Sequence, residues 1–268
     1  MSDTQEEKEF LKNYDAARYE RPSVTADVVI FTVDRDNELS ILLIKRGGHP
    51  FKNHWAIPGG FLNAGKESID DAAARELYEE TGIKVSDGIE LRQLITVGEP
   101  DRDPRTHVVS VVYTALVPKG LLHIKAGDDA KEAQLFKIRN GFDEEGNRRM
   151  RLVGDKISLT TDNLAFDHAC IVKIALERLK GRLAYTDDAF AMLKNKKCFK
   201  IYELKKIHET ILQKVIDRAN FRKMFIRNFV DIGKVRELKK DEVEGAVKTA
   251  MYMYVGGNEH EQKSIDCC

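Results

Sequence analysis

Three glutamates, Glu76, Glu79 and Glu80, lie close together in the chain and follow directly on Arg75. On a helix, positions three and four apart are neighbours, so Glu76 sits beside both of the others. Like charges at that spacing, held against an apolar stripe, cost free energy unless positive charge lies between them. Arg75 can pair with Glu79 one turn on, which leaves Glu76 and Glu80 wanting a partner. A hard divalent cation would satisfy them, because such ions take oxygen donors and keep waters of their own. The competing reading of a glutamate-rich helix is a solvated charged face.

The residues around these acids specify the helix that presents them. Ser68 opens a run in which Ile69, Ala73 and Leu77 recur at i, i+4 and i+8, the spacing of a buried stripe. Ser68 can cap this run with Asp71 at the capping-box position, and Gly82 is placed to end it. Upstream, Pro58-Gly59-Gly60 closes an apolar segment and a short loop leads into the helix.

Glu67, seven residues, and then Arg75-Glu76-Leu77-Tyr78-Glu79-Glu80-Thr81-Gly82-Ile83 resembles the Nudix box, G-x5-E-x7-R-E-U-x-E-E-x-G-U with U aliphatic. The match departs once: six residues, not five, separate Gly60 from Glu67, so the loop holding Asn63, Ala64, Gly65 and Lys66 carries an extra residue. Glycine in that loop makes an inserted residue easy to absorb. The resemblance implies an α+β fold, a Nudix α/β/α sandwich with a mixed sheet, and hydrolysis of a nucleoside diphosphate linked to another group. It also implies Mg²⁺, with Mn²⁺ as a substitute, held by Glu76, Glu80 and the backbone carbonyl of Gly60. Glu79, or an acid of a later loop (Asp128, Asp129 or Glu132), would help deprotonate the attacking water. Arg75 would orient the carboxylates, and Glu67 would complete that support.

In chain order, residues 1–18 are highly charged and read as a short helix or arm. Residues 24–33 and 39–45 read as a strand hairpin rich in branched side chains. Residues 54–57 read as a short strand whose tryptophan, Trp55, belongs in the core. Further strands are expected over 89–97, 108–117 and 134–138, with an added hairpin within 139–161. The segment Pro100-Asp101-Arg102-Asp103-Pro104-Arg105 resembles the corresponding loop of Nudix proteins that handle ADP-ribose. Arg102 and Arg105 are then candidates to grip a diphosphate, since guanidinium forks match phosphate oxygens in pairs. The alternative is a turn stapled by its own ion pairs. Arg46, at the start of a polar loop, is a third candidate. ADP-ribose is the first choice of substrate, with AMP and ribose 5-phosphate as products.

Beyond 163–167 the hydrophobic period becomes helical. Helices are expected over 166–180, ended by Gly181, over 189–193, over 201–212 and over 218–230, with a break at 213–217. Two helices joined by a short turn, the second carrying Arg218, Asn220, Arg222, Lys223 and Arg227, form a helix-turn-helix pattern. Residues 234–255 could add a strand and wing, and this part resembles the winged-helix tail of Nudix-related transcription regulators. Net charge is zero, yet residues 167–250 hold 20 Lys and Arg against 12 Asp and Glu, while residues 1–166 hold 23 against 29. A basic second part beside an acidic first part suggests two jobs. The expected division is an arm (1–20), a Nudix domain (21–162), a mainly helical winged helix-turn-helix domain (163–256) and a tail (257–268). DNA is accordingly a candidate partner and a homodimer is expected. The second hypothesis is an ADP-ribose sensor that reads DNA, although a pure sensor has no need of intact metal carboxylates. Four cysteines without metal-ligand spacing, no apolar run long enough for a bilayer and no signal-like start point to the cytoplasm and to no membrane role.

Overall fold

The computed structural model describes residues 4–33, 37–118, 121–122, 130–142, 148–160, 163–243 and 249–256. In order they form α1 (Gln5–Asn13), β1 (Ser23–Val33), β2 (Leu39–Arg46), β3 (Trp55–Ala56), β4 (Gly59–Phe61), α2 (Ile69–Thr81), β5 (Leu91–Val97), β6 (Val108–Val117), β7 (Ala130–Phe142), β8 (Arg148–Val153) and β9 (Ser158–Leu159). Then follow α3 (His168–Arg182), α4 (Asp188–Ala191), α5 (Ile201–Leu212), α6 (Arg218–Phe225) and the strands β10 (Val235–Glu237) and β11 (Tyr252–Tyr254).

β1 is the centre of the molecule. It pairs in parallel with β6 and antiparallel with β2 and β4, in a sheet of order β5-β6-β1-β2-β7-β8-β9. Successive side chains of a strand point to opposite faces, and here both faces are covered. Ala26, Val28 and Ile30 pack with Ala72, Ala73 and Leu77 of α2. Val29, Phe31 and Val33 face the other way, into a core that continues through Trp55 and Phe136 to α3, α5 and α6. That two-sided burial is why residues 24–33 read as almost unbroken apolar sequence. The alanines of α2 let the helix lie close on the sheet, so its acids are carried near β1 and β4.

α5 buries Leu204, Ile207 and Ile211 and ends at Gln213, whose φ of +51° turns the chain. Asp217 caps α6, accepting from the Asn220 N–H at 2.9 Å, and a wider π turn over Ile226–Val230 extends it. β10 and β11 pair antiparallel, Val235 opposite Tyr254, as a hairpin beside these helices. The turn between α5 and α6 is fastened to the sheet, since the Gln213 amide donates to the Ile138 carbonyl at 2.7 Å. α1 buries none of its residues.

Gly181 does not end α3, contrary to expectation; the helix runs on to Arg182. Glycine costs a helix interior about 1 kcal/mol relative to alanine, and burial of Leu179 and Leu183 on either side offsets it. β5 begins at Leu91 rather than 89, because Val85–Asp87 forms a short 3₁₀ turn first. Cys170 is exposed, and neither it nor Cys198 is in a disulfide. No described helix is long and apolar enough to cross a membrane.

His208 of α5 is 2% exposed, stands edge-on to Phe221 and leaves its Nε2 without a hydrogen bond. Burial pushes its pKa down to about 4. A depressed pKa means the unfolded chain takes up the proton first. This contribution to stability is therefore full above about pH 6.5 and is lost as pH falls toward about 4. Measured by urea unfolding, His208→Leu is expected to gain about 1–2 kcal/mol on the parent protein between pH 7.5 and pH 5. A stability difference that does not change with pH would refute this.

Candidate active site

Ser68 and Asp71 close the predicted capping box and Gly82 takes the left-handed C-cap, so α2 is fixed at both ends. Its inward face carries two acids that are each only 6% exposed, Glu76 and Glu80. Arg75 binds what lies around them. Its Nε and one terminal nitrogen donate to Glu67 at 3.2 and 3.0 Å. The other donates to Glu76 at 2.6 Å and Glu79 at 3.3 Å, and the Phe61 carbonyl accepts at 3.2 Å. Glu67 also accepts from the backbone and side chain of Asn63, both at 2.9 Å. With Gly65 at φ +75°, that turn absorbs the extra loop residue and brings Glu67 to Arg75.

The acids do not share one environment. Hydrogen bonds from Arg75 and Asn63 hold the Glu67 carboxyl down to about 2. Burial pushes Glu76 up to about 7, although Arg75 donates to it. Gly60 lies against Glu76, for an added Cβ would stand 2.3 Å from its Oε1. Glu76 against the Gly60 backbone, with buried Glu80 one turn on along α2, offers oxygen donors of the kind that fit Mg²⁺ or Mn²⁺, ions that complete their shells with water. Among the described residues no three His, Cys, Asp or Glu side chains converge as a metal cluster.

A further acid escaped the sequence reading. Asp27 of β1 is 7% exposed, accepts from the Ser110 hydroxyl and is pushed up to about 6 by burial. An acid interrupting the apolar run of residues 24–33 was its one signal. A Cβ on Gly59 would stand 2.0 Å from its Oδ1, so Asp27 and Glu76 flank the two glycines.

The expected third acid divides. Glu132 is not in a loop: it lies on β7, which starts at Ala130, and pairs with Lys45 at 3.7 Å. Pairing of β7 with β2 extends the strand to that point. Asp128 and Asp129 lie outside the described residues.

The arginines also divide. Arg102, its side chain 6% exposed, is committed to Asp167 through two hydrogen bonds of 2.9 and 2.7 Å. Its ion pair comes from 65 residues away rather than from its own turn. Arg105 pairs within the turn, with Asp103 at 3.0 and 2.7 Å, and lies over the rings of Phe61 and Phe166. Arg46 donates through Nε to the Pro50 carbonyl at 3.0 Å and lies over Phe166 as well. Phe166, Asp167 and His168 carried no site signal in the sequence, where residues 163–167 read as a domain boundary and 166–180 as a helix. His168 is buried, accepts from the Ile57 N–H at 3.1 Å and is pushed by burial down to about 3, so it stays neutral.

Away from the acids, Arg218, Asn220, Arg222, Lys223 and Arg227 are all exposed on α6 and the turn after it. Among the described residues, none of the four cations pairs with a carboxylate.

Residues 23–152 match the family model described as "NUDIX domain". A curated relative from Acinetobacter baylyi, "ADPR responsive transcriptional repressor NtrR", is 30% identical over 254 residues, 92% of this chain and 88% of the relative. "ADP-ribose pyrophosphatase" of Methanocaldococcus jannaschii is 38% identical over 170 residues, 62% of this chain and 82% of the relative. The solved structure of a "MutT/nudix family protein" from Enterococcus faecalis superposes with a TM-score of 0.71 at 30% identity, over 95% of this chain and 99% of that one.

The two glycines should differ in what an added methyl does. At Gly59 it meets the Ala26 carbonyl and the Asp27 Cα, both at 2.9 Å, as well as the Asp27 carboxylate. At Gly60 it meets only the carboxyl end of the Glu76 side chain, and no backbone. Gly59→Ala is expected to cost about 1–3 kcal/mol of stability, as overpacking does, and Gly60→Ala clearly less, by chemical denaturation. Equal losses would contradict this geometry.

Proposed function

Because this chain belongs to the Nudix family, we propose that it is a metal-dependent pyrophosphohydrolase acting on ADP-ribose and releasing AMP and ribose 5-phosphate. The observation that carries this reading is the pair of buried carboxylates of α2, Glu76 and Glu80, of which Glu76 lies against Gly60 and is bonded by Arg75. A regulatory fold that only bound its ligand would have no need of them. The resemblance of the Pro100–Arg105 segment and the pyrophosphatase relative support the choice of substrate.

In this reading Glu76, Glu80 and the Gly60 carbonyl hold Mg²⁺, or Mn²⁺ in its place. When bound, the ion neutralises the charge of the diphosphate and lowers the pKa of water. Glu79, half-exposed and bonded to Arg75 through one oxygen, accepts the proton of the attacking water. Glu132 and Asp129 are the alternative bases. Arg75 orients the carboxylates of Glu67, Glu76 and Glu79, and Glu67 in turn fixes Arg75. Arg105 and Arg46 bind the phosphates, while Arg102 acts through Asp167 and braces the segment beneath them.

A second reading is favoured by the exposed cations of α6 and by the repressor relative, which matches this chain beyond residue 162. In it, residues 163–256 form a winged-helix unit that binds duplex DNA, with ADP-ribose in the first unit as effector. The homodimer expected from the sequence belongs to the same proposal, and sedimentation of the full chain tests it.

Incubation with ADP-ribose and Mg²⁺ should yield AMP, and Glu80→Gln should lower the rate by about a hundredfold or more without unfolding the protein. ADP-ribose bound but uncleaved would sink the hydrolase and favour the sensor. For DNA, the paired change Arg218→Glu and Arg222→Glu is expected to abolish a gel shift of duplex DNA that weakens steeply with salt. A shift that survives both charge reversals would remove α6 from the interface.

A further inference from the structure

We propose that Phe166, the residue just before the second, helical part of the chain, is a positioning residue: its ring sets the guanidinium groups of Arg46 and Arg105 for a diphosphate. The inference rests on the reading above only for the identity of the ligand.

Phe166 has φ +52°, the left-handed region that a bulky side chain rarely enters. Such a conformation persists only where the surroundings impose it. They do so on both sides. The Ala165 N–H donates to the Trp55 carbonyl at 2.7 Å, Asp167 holds Arg102 through two hydrogen bonds, and the His168 ring accepts from Ile57. Tied to β3 and its continuation, the chain directs the ring into a single place. Phe51 packs on it, with ring centroids 4.7 Å apart.

The ring packs against the small core of Ile44, Ala56 and Ala165 and also meets charge. The guanidinium carbon of Arg46 is 4.9 Å from its centroid and that of Arg105 is 5.9 Å away. Arg105 is also 5.2 Å from the ring of Phe61, which follows Gly60 and whose carbonyl accepts from Arg75. A guanidinium stacked on an aromatic face keeps the N–H groups of its edge available for phosphate oxygens. Arg46 is anchored through Nε by the Pro50 carbonyl, and Arg105 through Nε and one terminal nitrogen by Asp103. The two cations on one ring therefore form a rigid pair next to the Glu76 and Gly60 corner. Asp27 stands beside Gly59 at the same corner. Two cations held side by side suit two adjacent phosphates better than one.

The test compares Phe166→Leu and Phe166→Tyr in the full chain. It uses steady-state kinetics on ADP-ribose, equilibrium binding of inorganic pyrophosphate, and melting temperature with Trp55 fluorescence as the check on folding. Phe166→Leu is expected to raise KM and weaken pyrophosphate binding by about tenfold, the worth of two lost ring–cation contacts, with kcat within about twofold. Phe166→Tyr, which keeps the ring face, should restore both. An unchanged KM and pyrophosphate affinity in folded Phe166→Leu overturns the proposal, as does failure of Phe166→Tyr to restore them. Should Phe166→Leu not fold, Phe166→Gly suits the left-handed backbone and carries the same comparison. Weakened pyrophosphate binding in a protein that leaves ADP-ribose uncleaved would sink the hydrolase and keep this inference. Cleavage of ADP-ribose with an unchanged KM would do the reverse.

Discussion

The guanidinium of Arg75 is the interaction on which the acid cluster depends. It spans three structural levels at once: the loop acid Glu67, the strand carbonyl of Phe61 and the helix acids Glu76 and Glu79. Only a planar fork with five donors can meet that set, and a lysine ammonium has neither the reach nor the count. The balance still differs from acid to acid. For Glu67, hydrogen bonding from Arg75 dominates and the carboxyl is strongly acidic; for Glu76, loss of water dominates and the carboxyl holds its proton to near neutrality. One cation thus keeps a supporting acid permanently charged while leaving its neighbour dependent on whatever else binds there. Because Arg75 fastens Glu67 at one end of the loop and Phe61 at the other, the loop between them tolerates an extra residue.

Legibility in the sequence followed the range of the interaction. The capping box of Ser68 and Asp71, the stop at Gly82 and the bond from Arg75 to Glu79 are all made within a turn or two, and each was readable. The branched, largely apolar run of β1 and the break at Gln213 were readable for the same reason. Asp27 was not, because the Ser110 hydroxyl and the glycine backbone that explain it arrive from distant strands. The partner of Arg102 was unreadable for a related reason: Asp167 is remote, whereas Arg105 found the local partner that a turn predicts. Gly181 carried a correct local preference that buried leucines on both sides outweighed.

The two parts of the chain are joined by more than a covalent link. Leu164 pairs with Trp55, Asp167 with Arg102 and His168 with Ile57, so the start of α3 is seated on the strand that leads into the two glycines. Gln213, at the turn between α5 and α6, is seated on β7. Arg92 of β5 is bonded to Asp188 at the start of α4. Each link is a polar contact to backbone or to a partly buried partner, strong enough to fix orientation and small enough to be rearranged singly.

The two-sided burial of β1 also bears on how the molecule is made. α2 and both parallel partners, β1 and β6, leave the ribosome within the first 117 residues, so one face of the sheet can be covered early. The other face, with Phe31, Ile41 and Phe136, is covered by side chains running from Leu164 to Phe229. At translation speeds of roughly 5–20 residues per second, the nascent sheet carries a bare apolar surface for several seconds before its own cover exists. During that interval a chaperone, or the same surface on a neighbouring nascent chain, is the competing cover, and pauses in synthesis after residue 160 would lengthen the exposure.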